Sequence, residues 1–349
     1  MIAGKYLDDI EARLDRVQEE RLLRAWREFA CGRLTDGPFD PPACDPAPSA
    51  LEWPNIHIND AVADPGLMLL HQFRMISEQL ADGHRNLLQV RANYGVGIMP
   101  SFWGVRPFIM PRHMETLPNV HPLDGGEPEI RMIVAGTSSA DHRHCGYGPQ
   151  IFAVGEQFAR IRERYPKIAA FVRVDHPDAQ GPLDVAELLW GWKIFYALVD
   201  EPELVHGLLG RICDVYERFI RDWYDLVPMD DGDHAYGGRL HRGLIALRDD
   251  SAMNISAAMC REYVHPYDGR LLEAFGGGLI HFCGQGHHHI ADMTRQPLLY
   301  AVDLSQPELN DMELILIHTV DRGIKLHTYA NAGQQPFSCT GHDVRHLMF

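Results

Sequence analysis

The segment Leu279-Ile280-His281-Phe282-Cys283-Gly284 places a histidine and a cysteine two positions apart. In an extended chain residues two apart project to the same side, so the His281 imidazole and the Cys283 sulfur can reach one ion. Gly284 then permits a tight turn. A neutral imidazole with a soft thiolate suits zinc, but two ligands do not complete a site. Cys339 is the best third candidate, because it follows the last expected strand and its loop would return over the same end of the fold. Asp303, Gln306 and Glu308 stand at the end of the next strand and could give a weak fourth ligand, although Glu308 reads better as a helix-capping residue. The competing reading makes His281 a hydrogen-bonded core histidine and Cys283 an apolar filler. The strand-end position and the later Cys339 favour the metal.

Other groups could share that chemistry. Asp249 and Asp250 set two carboxylates side by side, and Asp175 ends the apolar run Val172-Arg173-Val174. Any of the three could act as a general acid or base, or hold an N–H-bearing substrate; the plainer reading of the pair is helix capping with a salt bridge. His287-His288-His289 resembles a metal site. On a helix, however, successive side chains diverge by about 100°, so the run reads as a solvated helix start with His287 facing the mouth, where it could touch a cofactor. Asn93-Tyr94-Gly95-Val96-Gly97 lacks the spacing of a phosphate loop and reads as a turn through which Asn93 and Tyr94 contact substrate or cofactor.

The elements that must carry these groups alternate between short apolar runs and amphipathic helices, which predicts an α/β protein with a parallel sheet wrapped by helices. Strands are expected at Leu87–Ala92, Ala169–Val174, Gly243–Leu247, Gly278–Phe282, Leu298–Leu304 and Ile324–Tyr329. Polar groups finishing several such strands are what a (β/α)8 TIM barrel gathers in its catalytic mouth. Asp200 and Glu203 around Pro202 are expected to open a helix with Leu204, Leu208, Ile212, Val215, Phe219 and Trp223 on one side. Ser305 to Glu308 is expected to open another, over Leu309 to Val320. Residues 1–84 read as an N-terminal helical and Pro-rich extension packed on the barrel, and 85–349 as the barrel. In that extension Leu7, Ile10, Leu14, Val17 and Leu22 fall on one helical face, and a second helix covers Pro65 to about Asp82.

The formal net charge of −16 over 349 residues excludes a phosphate backbone as an expected partner. No run is long and apolar enough for a bilayer, and the charged N-terminus does not resemble a secretory signal, so a cytoplasmic protein is expected. Seven scattered cysteines fit reduced thiols better than a disulfide framework.

Four segments together resemble the uroporphyrinogen decarboxylase superfamily: Gly181-Pro182-Leu183-Asp184 before a helix, Asp249-Asp250-Ser251-Ala252-Met253, Glu262-Tyr263-Val264-His265-Pro266-Tyr267, and Ile280-His281-Phe282-Cys283-Gly284. The similarity spans about residues 85 to 330, and only the H-x-C-G segment is specific in its chemistry. Within that superfamily the chain resembles the corrinoid-dependent methyltransferases of the coenzyme M type, whose pattern is H-x-C followed much later by a second cysteine. The resemblance implies zinc held by His281, Cys283 and Cys339. It also implies a methyl group moved between a corrinoid (methylcobalamin), carried by a partner corrinoid protein, and a thiol, tetrahydrofolate or methoxy compound. A homodimer fits the same expectation. The arginine-rich N-terminal motif of the true decarboxylases is missing, which argues against porphyrinogen decarboxylation. Two alternatives remain open from the sequence: a metal-free lyase in which Asp250 or Asp175 polarises a substrate N–H, and a non-catalytic tetrapyrrole- or corrinoid-binding protein.

Overall fold

The structure is a computed structural model that describes residues 4–138, 140–229, 232–329 and 337–349. Each apolar run expected to be a strand contains one. In chain order the strands that matter for the site are β1 (Gln89–Arg91), β2 (Arg173–Asp175), β3 (Asp233–Tyr236), β4 (Arg239–Arg242), β5 (Ile245–Arg248), β6 (Gly278–Phe282), β7 (Leu299–Leu304), β8 (Lys325–Thr328) and β9 (Leu347–Met348). Strand β2 is shorter than expected, because Pro166 starts a helix that runs to Phe171 and takes the first half of the run.

The architecture is mixed α/β with parallel sheets. Strands β5 to β9 form one five-stranded parallel sheet in chain order, and β1 pairs with β2 in a second parallel sheet. Among the described residues these ladders do not close into one barrel. Hydrogen bonds bridge them instead, among them Ala246 N to His176 Nε2 (2.9 Å) and Gly181 N to the Arg248 carbonyl (2.8 Å), with an ion pair from Arg248 to Asp178 (2.8 Å). At the other edge Phe39 N donates to the Leu347 carbonyl (2.7 Å), so an N-terminal residue caps part of the last strand.

Period-two alternation gives the large sheet two different faces. Leu247, Ile280, Phe282, Val302, Leu304 and Leu326 join the main core on one side. On the other, Ala246, Leu279 and Ala301 form a small separate cluster against Tyr236. Register then sets Arg248 opposite His281, His281 opposite Asp303, and Asp303 opposite His327, a polar row across four strands. The antiparallel hairpin β3–β4 lies on this face, with the small Ala246 and Ala301 side chains making room for it. Its Gly237-Gly238 turn has positive φ at both residues (57° and 77°), as a tight hairpin turn requires.

The helices depart from the expected boundaries in instructive ways. Gly4–Arg13 and Arg16–Ala30 are two helices, with Asp15 capping the second through Val17 N and Gln18 N, so Val17 begins a new helix and is exposed. The helix Pro65–Asp82 stands as expected, and so does the buried stripe of Pro202–Leu226. Asp200 does not cap the latter; it ends the preceding helix, Ile194–Asp200. The helix after β7 starts later than expected, at Met312, and is capped by Asp311. The N-terminal segment shares its interior with the rest: Leu7, Ile10 and Leu14 belong to the main core, and Trp26 Nε1 donates to the Arg85 carbonyl at 3.0 Å. No helix among the described residues is long and apolar enough to cross a membrane, and all seven cysteines are free thiols.

Candidate metal centre

His281 is the inward residue of β6 and Cys283 follows one step beyond its end. As the two-residue spacing requires, they face each other: His281 Nε2 lies 3.4 Å from Cys283 Sγ. Two ligands of one tetrahedral zinc ion stand about 3.5 Å apart when Zn–S and Zn–N take their usual lengths. The third member of the group is Asp250, whose ligating oxygen, like the other two atoms, lies within 4.8 Å of its companions. These three residues could hold a metal ion. Gly284, with φ of 90°, turns the chain away directly afterwards.

The surroundings fix each side chain. Asp303 Oδ2 accepts from His281 Nδ1 at 2.6 Å, which leaves Nε2 as the nitrogen facing Cys283. Asp303 is held in turn by Arg239 Nη1 at 2.9 Å, and the Arg239 guanidinium lies over the Tyr329 ring at 3.9 Å. Burial would raise the Asp303 carboxyl, but His281 and Arg239 hold it below the usual carboxylate range. Burial likewise opposes charge on His281, yet Asp303 and the Cys283 sulfur raise it to about 10. Ser305 Oγ donates to Cys283 Sγ at 3.0 Å, and Cys283 N donates to Asp250 Oδ1 at 2.7 Å. Asp250, alone of the three, also lines a cleft of about 410 Å³ with Asn119, Gln180, Asp184, Glu187 and Asn254, which places space for a small molecule beside that carboxylate.

Replacing Asp303 with asparagine tests this outer support. The change Asp303→Asn should weaken zinc binding about 10- to 100-fold in a competitive chelator titration. It should also cost about 3 kcal/mol of stability, because the Arg239 charge is left buried without its partner. Unchanged affinity would remove Asp303 from the site.

The remaining expected site residues are spread more widely. Cys339 does not join the His281, Cys283 and Asp250 group; its Sγ donates to the Phe337 carbonyl, and it is half-buried. The loop expected to carry it over the site includes residues 330–336, which lie outside the described part. Of the other ligand candidates, Asp303 stands behind His281, Gln306 Oε1 accepts from Gly284 N at 2.7 Å, and Glu308 is exposed. Asp249 points to the opposite side of β5 from Arg248 and Asp250. It is 1% exposed, and burial and Asp268 raise its carboxyl well above the usual range. It therefore sits in the layer between sheet and helices, apart from the cleft. Asp175 is fully buried, with Oδ1 2.9 Å from His234 Nε2, and belongs to an interior network with Arg91.

Asn93 accepts from Arg91 Nη2 at 3.0 Å. Tyr94 is a core residue, fully buried with its ring 5.0 Å from that of Tyr147, and the residue of this turn that lines the cleft is Val96. His287 Nδ1 accepts from Asp311 N at 3.2 Å, which ties it to the start of the next helix. Residues 287–289 form a turn before the helix Ile290–Met293, so the helical spacing argument does not apply to them.

Packing explains why Gly181 precedes Pro182. A Cβ on Gly181 would come 1.8 Å from Asp249 Oδ1 and 2.9 Å from the Arg248 carbonyl. Gly181→Ala should therefore lower stability by about 1–3 kcal/mol, read as an earlier urea midpoint. A midpoint equal to wild type would show that the Asp249 side chain moves freely.

Sequence reasoning missed the hairpin, and with it Arg239 and Tyr236, whose ring lies 5.6 Å from that of His281. The signal was present: Gly237-Gly238 is a two-residue hairpin turn sequence, set between Asp233–Tyr236 and Arg239–Arg242. A scan against protein-family models and a search of curated proteins each found no match to the chain.

Proposed function

We propose that the chain is a zinc-dependent methyltransferase that moves a methyl group between a corrinoid, carried by a partner protein in the cytoplasm, and a small molecule bound in the cleft beside Asp250. The observation that carries the reading is the 3.4 Å approach of His281 Nε2 to Cys283 Sγ with Asp303 fixed behind the imidazole. His281, Cys283 and Asp250 would hold the ion and leave a position for the substrate. A bound zinc supplies charge that lowers the pKa of a ligating thiol, which gives a thiolate at neutral pH.

Each residue has a defined task. Asp303 keeps the proton on His281 Nδ1 and so turns Nε2 towards the site, where a bound ion would displace the Nε2 proton. Ser305 donates to the Cys283 sulfur and tempers its electron density. Asp250 binds the Cys283 backbone with one oxygen and keeps the other for the site. Glu187 and Asp250 make the cleft wall acidic. Such a wall suits a neutral or cationic methyl donor or a thiol acceptor and repels a polycarboxylate. A cleft of about 410 Å³ suits a small molecule, which leaves the corrinoid to its carrier.

The same reading treats the two parallel sheets as arcs of one (β/α)8 barrel. The His176 and Gly181 hydrogen bonds to β5 support it, and so does the polar face enclosed by β5 to β8 and the hairpin. Seven free thiols fit a reducing compartment. The test is demethylation of methylcobalamin by zinc-loaded protein with a panel of thiols and with tetrahydrofolate. Transfer to one of them is expected, and absence of turnover in both directions would contradict the proposal.

A further inference from the structure

A second group of ligating atoms lies outside the site described above. Cys260, in the helix Ala257–Tyr263, offers its sulfur, and His288 and His289, in the turn before Ile290–Met293, offer one ring nitrogen each. All three atoms lie within 4.8 Å of one another.

Two independent observations point to a ligand. His289 is fully buried, and neither of its ring nitrogens has a partner. Buried imidazoles ordinarily satisfy at least one nitrogen, so this side chain is left with bonding capacity directed into the protein. The second observation is His288, whose Nε2 lies 2.9 Å from the Ile255 carbonyl oxygen. Donation there fixes the proton on Nε2 and leaves the Nδ1 lone pair free, which is how metal-bound imidazoles are commonly oriented. His265 covers the far face of His289, with ring centroids 5.6 Å apart and planes 24° from parallel.

We propose that Cys260, His288 and His289 bind a divalent transition-metal ion of the zinc type, at a site separate from His281 and Cys283. One thiolate and two imidazoles favour zinc or cobalt over calcium or magnesium, which prefer oxygen. The donor atoms must close to about 3.5 Å from one another around the ion, and the exposed His288 side chain can rotate to do so. Binding takes the Cys260 sulfur as thiolate and releases its proton to solvent, one per ion, while both imidazoles bind neutral. The ion ties the helix that follows Asp250 to the turn that follows Cys283. It therefore staples the two segments that bring Asp250 and Cys283 together.

The experiment is a cobalt(II) titration of protein carrying His281→Ala and Cys283→Ala, so the outcome does not depend on the methyltransferase reading. One equivalent should bind, with a thiolate-to-cobalt charge-transfer band and release of one proton. Adding Cys260→Ser should abolish the band. Adding His288→Ala, a surface change that leaves the fold intact, should weaken binding at least about tenfold. The proposal is overturned if the first-site variant binds no cobalt, if the band survives Cys260→Ser, or if His288→Ala leaves the affinity unchanged.

Discussion

Raising the pH from 6.5 to 9 should cost the fold about 4 kcal/mol. His84 is the main cause. It is buried beside Glu19, with Nε2 3.1 Å from Glu19 Oε1. Burial opposes its charge, but Cys44 and Glu19 overcome that and raise it to about 10. A histidine raised in the folded state contributes stability that is complete below the unfolded value near 6.5 and is lost as the pH climbs towards 10. By pH 9 the loss is about 3 kcal/mol. Asp268 acts in the same direction. Burial and Asp184 raise its carboxyl to about 8 against the Asp249 hydrogen bond, so the folded state keeps a proton that the unfolded chain has already released. Between pH 6.5 and 8 this costs about 2 kcal/mol more. Lys325, lowered by burial to about 8, returns about 1 kcal/mol between pH 8 and 9. In metal-free protein His281 adds to the loss.

The measurement is urea unfolding across this range. The midpoint should fall steadily, and Glu19→Gln should flatten the curve by removing much of the His84 share. A midpoint constant from pH 6.5 to 9 would contradict the account of both buried clusters. Below pH 6.5 two effects oppose each other. His176, His234, His241 and His327, lowered by burial to about 3, favour unfolding. The raised carboxyls of Asp175, Asp184, Asp249 and Asp268 favour the fold. The alkaline limb is therefore the informative one.

The second large effect is on turnover. Cys283→Ala and His281→Ala should each lower methyl transfer by about 10³-fold or more, since a Lewis-acid metal supplies several kcal/mol and each 1.4 kcal/mol is a factor of ten. Cys283 is half-buried, so its sulfur contributes about 1 kcal/mol at most to stability. A folded but inactive Cys283→Ala protein separates chemistry from unfolding. Turnover equal to wild type in either variant would remove these side chains from the reaction.

How much of this was legible in the sequence depended on the range of the interaction. The pairing of His281 with Cys283 follows from strand geometry alone, and the apolar runs of β5 to β8 bring their polar residues into one row for the same reason. The partners supplied by tertiary packing were not legible. Asp250 reaches Cys283 across neighbouring strands, and Asp303, which the sequence offers only as one of three candidates for a weak fourth ligand, supports His281 from behind. Asp249 and Asp250 look alike in sequence, yet alternation sends one to the helix layer and the other to the cleft. Arg239 arrives on a hairpin whose glycine turn was overlooked. The histidine run was judged as helix, and its turn conformation is what lets His288 and His289 approach Cys260. The helix expected around Pro202 starts there, but Asp200 does not cap it because it ends the preceding helix, and the helix expected after Ser305 starts only at Met312, where Asp311 caps it.

The proposed function requires one cation held by side chains two residues apart, and metal content measures that directly. Zinc-loaded wild type, protein carrying both His281→Ala and Cys283→Ala, and Cys339→Ala should be dialysed together and assayed by elemental analysis. The account predicts that the double variant carries one zinc per chain fewer than wild type, while Cys339→Ala matches wild type. Equal zinc in wild type and the double variant would contradict it.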